Sequence, residues 1–184
     1  MRDALAIHRM LLEREILHEI VRLPRAIANA DELPKVLGLP AKHCLATHVY
    51  QVDPAPQGER HLAAVVVTAA ARLKVESLLG PLGAKEVRAA APGEVNAATE
   101  YAAGLVAPLL LPDDMPLLIE QRVIDALHID DVVYTATGES RTALGIRALD
   151  LFALSGAKPV DLPLSPSMLR RGRALRSVTR LGAG

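Results

Sequence analysis

The sequence predicts an α+β domain built on a mixed, largely antiparallel sheet. Three observations predict it. Short strand-like runs cluster in the middle and towards the end of the chain, without regular alternation of strand and helix. HCLATHVYQV (43–52) and HLAAVVVTA (61–69) flank DPAPQGER (53–60), whose turn chemistry makes the pair a β-hairpin with a long loop. Helical spacing shows at the start and again near 149–155. The chain has 184 residues, 51% of them hydrophobic, which suits one sizeable core. Aromatic residues are only 2%, so that core must be built from Ala, Leu, Val and Ile.

Residues 3–15 form an amphipathic helix through Leu5, His8, Leu11 and Leu12. ILHEIVRL (16–23) is a strand that ends at Pro24. ADELPKVLGL (30–39) is a short helix, capped by Asp31, with Pro34 in its first turn and Gly38 as its stop. After the hairpin, 73–82 is helical and LGAKEVRAA returns to a strand. PGEVNAATEY opens on Pro92 and Gly93 and is a helix. PLLLP, MPLLIEQRV, DDVVYTAT and TALGIRAL are short and strand-like, and a helix near 149–155 closes the core.

A single cysteine, Cys44, rules out an intrachain disulfide and points to a reducing compartment. The first residues carry charge throughout, unlike a signal peptide, and the apolar runs are too short to span a bilayer. A cytoplasmic protein with no membrane contact is expected, and as a monomer. The net charge is zero but uneven: Arg170, Arg171, Arg173, Arg176 and Arg180 lie between Ser165 and Gly184 with no acidic residue among them. That segment is either a solvated terminus or a phosphate contact.

The sequence holds no glycine-rich phosphate loop and no GxSxG elbow. Cys44 and His48 are roughly 13 Å apart on a strand, too far for a nucleophile and its base. His43 and His48 face opposite sides of a regular strand and cannot share a metal. HIDD (128–131) is a polar turn before a strand. One stretch stands out. TEYAAGLVAP (99–108) places Gly104 and Pro108 inside an apolar run, where both break regular structure. It is either a buried connection or a loop whose backbone approaches a ligand.

LGLPAKHCLATHVYQV, LGAKEVRAAAPGEV, TEYAAGLVAP and VVYTATGES resemble, in order and spacing, the YbaK family of aminoacyl-tRNA deacylases, related to the editing domain of bacterial prolyl-tRNA synthetases. The resemblance runs from about Leu12 to about Ala157. It implies a barrel-like sheet flanked by helices, with residues 1–160 as the deacylase domain and 161–184 as an Arg-rich extension. It implies that the Gly-x-x-x-Pro loop, here Gly104, Leu105, Val106, Ala107 and Pro108, is catalytic. Its backbone groups would hold the terminal ribose and the ester of an aminoacylated tRNA 3′ end, without metal, cofactor or protein nucleophile. The bare α-carbon of Gly104 would leave room for the ribose.

The remaining substrate-binding residues implied are Ala46, Thr47, His48, Thr99, Tyr101, Gly138 and Glu139. Thr99 and Tyr101 precede the loop; Gly138 and Glu139 lie in the turn on its far side. Family members carry a lysine before a threonine on the first hairpin strand, and LATHV puts Ala46 and Thr47 there. Three outcomes stay open: another cation serves, backbone orientation suffices, or catalysis is lost and binding remains. His48, on the same strand face as Ala46, is either a substitute donor or a structural histidine. The expected activity is a hydrolase that deacylates mischarged tRNA in trans, in the service of translation fidelity. The alternative is a silent ligand- or protein-binding relative.

Overall fold

The structure, a computed structural model, describes residues 1–163. The α+β architecture expected from the sequence is present, with its strands divided between two sheets. A three-stranded antiparallel sheet has the order β1 (His18–Arg22), β7 (Thr142–Arg147), β6 (Val132–Ala136). A five-stranded mixed sheet has the order β4 (Ala84–Ala89), β2 (Leu45–Pro54), β3 (His61–Thr68), β5 (Leu117–Glu120), β8 (Lys158–Val160). A parallel bridge between Cys44 and Tyr134 joins the sheets, so the barrel-like enclosure is open rather than closed.

The β2–β3 hairpin is the centre. Its register runs from Leu45 opposite Thr68 to Val52 opposite His61. Side chains alternate across a strand. Leu45, Val49, Ala64 and Val66 enter one apolar cluster, with Ile7, Val106, Leu144 and Leu151. Ala46, Tyr50, Val65 and Val67 enter the other, with Leu23, Leu33, Leu105 and Ala136. Burial on both faces explains the continuous AAVVV run of β3.

The helices are α1 (Ala4–Glu13), α2 (Leu33–Leu37), α3 (Pro92–Thr99), α4 (Gln121–Asp125) and α5 (Ala148–Ser155). Asp3 caps α1 by accepting the Ala6 N–H at 2.8 Å. Its buried face is Ala4, Ile7 and Leu11; the expected Leu5 and Leu12 are exposed, because the sheet lies one position round the helix. Asp31 does not cap α2. It sits in a single 3₁₀ turn, Ala30–Glu32, ahead of that helix, and its side chain is directed elsewhere. Gly38 does stop α2, at φ +66°.

Three further expectations are corrected. The helix at 73–82 is only a 3₁₀ turn, Val75–Leu78, cut short by Gly80 and Pro81. PLLLP is irregular: two prolines withhold donors from any ladder and Leu110 has φ +56°. The strand read in MPLLIEQRV ends at Glu120, and QRV belongs to α4. Strand β8 escaped the sequence reading. Beyond it Leu162 is fully buried, and its carbonyl accepts from Arg122 at 2.7 Å. The five arginines of the expected extension lie outside the described residues. No helix among the described residues is long and apolar enough to cross a membrane.

Candidate functional site

The site begins at a gap in the sheet. β4 pairs with β2 only from Tyr50 onward, and the ladder closes where Ala90 N–H donates to the Val49 carbonyl at 3.0 Å. Thr47, two residues back, presents its backbone to the same edge with no strand beside it among the described residues. The Gly104–Pro108 turn covers that gap. Between them lies a cavity of about 250 Å³. Thr47, His48 and Tyr50 form its strand wall, and Ala103, Gly104 and Val106 the facing wall. Ala89, Ala90 and Val95, from the end of β4 and from α3, make its floor small and apolar.

The turn is held by a dense set of hydrogen bonds. Thr99, fully buried, donates to the Val95 carbonyl at 2.8 Å and accepts the Tyr101 N–H at 3.1 Å. The Tyr101 hydroxyl donates to the Leu109 carbonyl at 2.8 Å, tying the entrance of the turn to its exit. Burial pushes that phenol far above its ordinary pKa, so it stays a donor. Asn96 accepts the Ala103 N–H at 2.7 Å. The Gly104 carbonyl accepts from Ala30 N–H at 2.9 Å, and the Leu105 carbonyl from Gly138 N–H at 2.8 Å. Leu105 N–H donates to Ala102 at 3.0 Å, so both backbone groups of Leu105 are engaged within the protein. The N–H groups of Gly104 and Val106 make no hydrogen bond among the described residues, and both residues line the cavity.

The structure gives Gly104 a reason that the sequence reading did not supply. Its φ is +82°, and a Cβ there would lie 2.7 Å from the Ala28 carbonyl oxygen. The glycine lets the turn pack on residues 28–29. Gly138, at φ +91°, is likewise wedged between the Arg2 carbonyl and the Tyr101 ring. Thr99, Tyr101 and Gly138 therefore support the turn from behind. Ala107 and Pro108 are buried away from the cavity. Pro108 borders a larger cavity of about 480 Å³ with Arg2, Met10 and Arg14, which gathers none of the other expected site residues. Glu139 is exposed, accepts from Thr142 at 2.9 Å and lies away from the site.

Ala46 is not on the cavity wall. It is 1% exposed, in the apolar cluster that holds Val65, Val67, Leu105 and Ala136. Thr47 is 4% exposed, and its hydroxyl has no partner among the described residues; nor has Asn29 Oδ1, beside Gly104. Both oxygens are enclosed by protein, and Asn29 is not part of the cavity wall.

The residue that sequence reasoning missed is Asp31. Its carboxylate accepts the Ala70 N–H at 2.7 Å and lies 3.7 Å from His48 Nε2, ion-pair range rather than hydrogen-bond contact. The His48 imidazole, and then the Ala70 N–H, hold the Asp31 carboxyl below the usual carboxylate range, against the opposing effect of burial. No sequence pattern signals this pairing: Asp31 read as a cap, and only the fold brings it to His48. Burial pushes the Cys44 thiol up to about 11, so it is a poor nucleophile. Among the described residues no group of three or more His, Cys, Asp or Glu is placed to hold a metal.

The chain is a mixed α+β scaffold with a small cavity between a strand edge and a Gly-x-x-x-Pro turn. The chain belongs to the aminoacyl-tRNA editing domain family, which it matches over residues 24–154. No curated protein matches it. Among solved structures, it is similar to the hypothetical protein APE2540, with 22% identity over 85% of this chain and 97% of that one, at a TM-score of 0.70. It is also similar to a candidate trans-editing enzyme for prolyl-tRNA synthetase, with 22% identity over 86% and 95% of the two chains, at a TM-score of 0.68. A further likeness is to a candidate signal transduction protein from Marinobacter aquaeolei VT8. The identity there is 17%, covering 97% of this chain but 37% of that one, at a TM-score of 0.58. At these identities the likenesses are of fold.

Proposed function

We propose that this chain is a trans-acting aminoacyl-tRNA deacylase, which hydrolyses the ester linking a wrong amino acid to the tRNA 3′ end. The observation that carries the reading is the cavity between the open edge of β2 and the Gly104–Val106 segment, in a chain of the editing-domain family. The cognate amino acid side is small, because Ala89, Ala90, Ala103 and Val95 leave little room and no charge to greet a large one. Alanine, serine, cysteine and proline are the substrates to test. The likeness to a candidate trans-editing enzyme for prolyl-tRNA synthetase supports action on free aminoacyl-tRNA.

The chemistry asks little of the protein, since an aminoacyl ester is already activated. Water must be brought to the carbonyl carbon, and the oxyanion that forms must be met by fixed donors. The unpaired N–H groups of Gly104 and Val106 are suited to that task. A preorganised donor of this kind lowers the barrier by about 3 kcal/mol. Outside the described residues, the arginines between Ser165 and Gly184 would add phosphate contacts. We place this activity in the cytoplasm, in a monomer, with no cofactor.

One observation favours a second reading. The position that carries lysine in the YbaK family is a buried alanine here, so the pocket could bind an aminoacylated or other ligand without turning it over. Purified protein incubated with tRNAs charged with each of the four amino acids separates the two. Release of one amino acid faster than spontaneous hydrolysis supports the deacylase; tight binding with no release supports the silent binder.

A further inference from the structure

We propose that His48 is the proton-transferring residue of this site and that Asp31 positions it, in place of the cation that the buried Ala46 cannot supply. The inference rests on the deacylase reading and assigns its chemistry. His48 borders the cavity with Gly104 and Val106, and its side chain is 35% exposed, so water reaches it. Its Nε2 faces Asp31 Oδ1 at 3.7 Å. The carboxylate is itself pinned by the Ala70 N–H at 2.7 Å, on a turn whose Ala30 N–H is bonded to the Gly104 carbonyl. One short segment thus holds both the turn over the cavity and the orienter of the imidazole. Asp31 favours the tautomer with the proton on Nε2. Nδ1, which has no partner among the described residues, keeps its lone pair for a water in the cavity.

The step balances without a cofactor. Nδ1 takes a proton from water as the water oxygen bonds to the ester carbonyl carbon. Negative charge moves to the carbonyl oxygen, opposite the N–H groups of Gly104 and Val106. The intermediate collapses, the bond from carbonyl carbon to ribose oxygen breaks, and the imidazolium returns its proton to that oxygen. The products are the free amino acid and a tRNA with its terminal hydroxyl restored. Asp31 stabilises the imidazolium that exists between the two transfers.

Among the described residues the titratable groups around His48 are few. Asp31 faces it from the turn before α2, and Tyr50 lies two residues along β2. Val65 stands opposite on β3, flanked by Ala63 and Val67, and the Gly104 turn contributes no ionisable side chain. Burial first, and then the Asp31 charge, raise the Tyr50 phenol, so it remains neutral through the working range.

The test is the pH profile of kcat/KM on a tRNA carrying the amino acid that the protein releases. Wild type should show one ionisation on the acid limb. His48→Gln should lose about 100-fold and lose that limb. Asp31→Asn, which can still accept the Ala70 N–H, should lower kcat and leave KM unchanged, because the imidazolium formed between the two transfers loses its counter-charge. Asp31→Glu should restore part of kcat. A merely structural Asp31 would change kcat and KM together, with no rescue by Asp31→Glu. His48→Gln within threefold of wild type, with the same limb, overturns the inference and leaves the deacylase reading intact. A wild-type rate with no acid-limb ionisation also overturns it, without recourse to any variant. Wild-type protein that releases none of the four amino acids overturns this inference and the deacylase reading together.

Discussion

Ala46→Lys places the lysine of the YbaK family where the sequence resemblance puts it, and the structure predicts that this fails. Ala46 is 1% exposed in an apolar cluster. Inserting the side chain overpacks that cluster, at about 1–3 kcal/mol. Its ammonium is either buried or neutralised. Neutralising a lysine at pH 7 means giving up about 3 pKa units, which is about 4–5 kcal/mol. The sum, about 5–8 kcal/mol, rivals the whole stability of an ordinary domain. Ala46→Met is the neutral control and bears only the packing cost. Urea unfolding of both variants isolates the charge contribution. Because the folded-state pKa of the lysine is depressed, the unfolded chain binds the extra proton between that value and about 10.4, so the deficit is about 4–5 kcal/mol at pH 7 and shrinks as pH rises towards about 10.4. Ala46→Lys as stable as Ala46→Met at pH 7, or a gain in deacylation, would refute the burial argument and place Ala46 on the cavity.

Gly104→Ala should lose stability and activity together: the left-handed backbone costs about 1–2 kcal/mol, and the clash with the Ala28 carbonyl displaces the turn further. A lost rate at unchanged melting temperature would mean that the glycine serves the ligand and not the packing. Tyr101→Phe leaves the Leu109 carbonyl without its donor and should cost about 1–3 kcal/mol by urea unfolding; an unshifted midpoint would show that the phenol bridges nothing of consequence. Truncation after Pro163 should leave the melting temperature unchanged and flatten the salt dependence of tRNA affinity, by about 0.7 in log–log slope for each phosphate that is no longer neutralised. An identical slope assigns the arginines to a solvated terminus.

The hairpin, α1, α3 and the Gly-x-x-x-Pro turn were legible because each carries a local signature: alternation around a long polar loop, 3.6-residue spacing, proline at a helix start, and punctuators inside an apolar run. The irregular path of PLLLP was harder to read, since leucines in a row after a proline look like a strand until the prolines are counted as missing donors. Strand β8 has only three residues and pairs in parallel with β5, a partner 40 positions away that no local pattern announces. At the site, Thr47, His48, Gly104 and Val106 do converge on one cavity. Ala46 does not, because its side chain is enclosed by the second core cluster, further along the strand face that it shares with His48. Thr99, Tyr101 and Gly138 hold the turn, a role that sequence alone cannot separate from lining a pocket. Asp31 was hidden by its resemblance to a helix cap.

The central claim is that the cavity between β2 and the Gly104 turn is where an aminoacyl ester is hydrolysed. Release of labelled amino acid from alanyl-, seryl-, cysteinyl- and prolyl-tRNA, by wild type and by Ala103→Phe, tests it directly. Ala103 lines the cavity at the margin of the first core cluster and is only partly buried, so the larger ring has the cavity to enter. Wild type should release at least one of the four well above the spontaneous rate, and Ala103→Phe should release none while melting at the same temperature. No release by wild type, or an undiminished rate in the folded Ala103→Phe protein, would contradict the account.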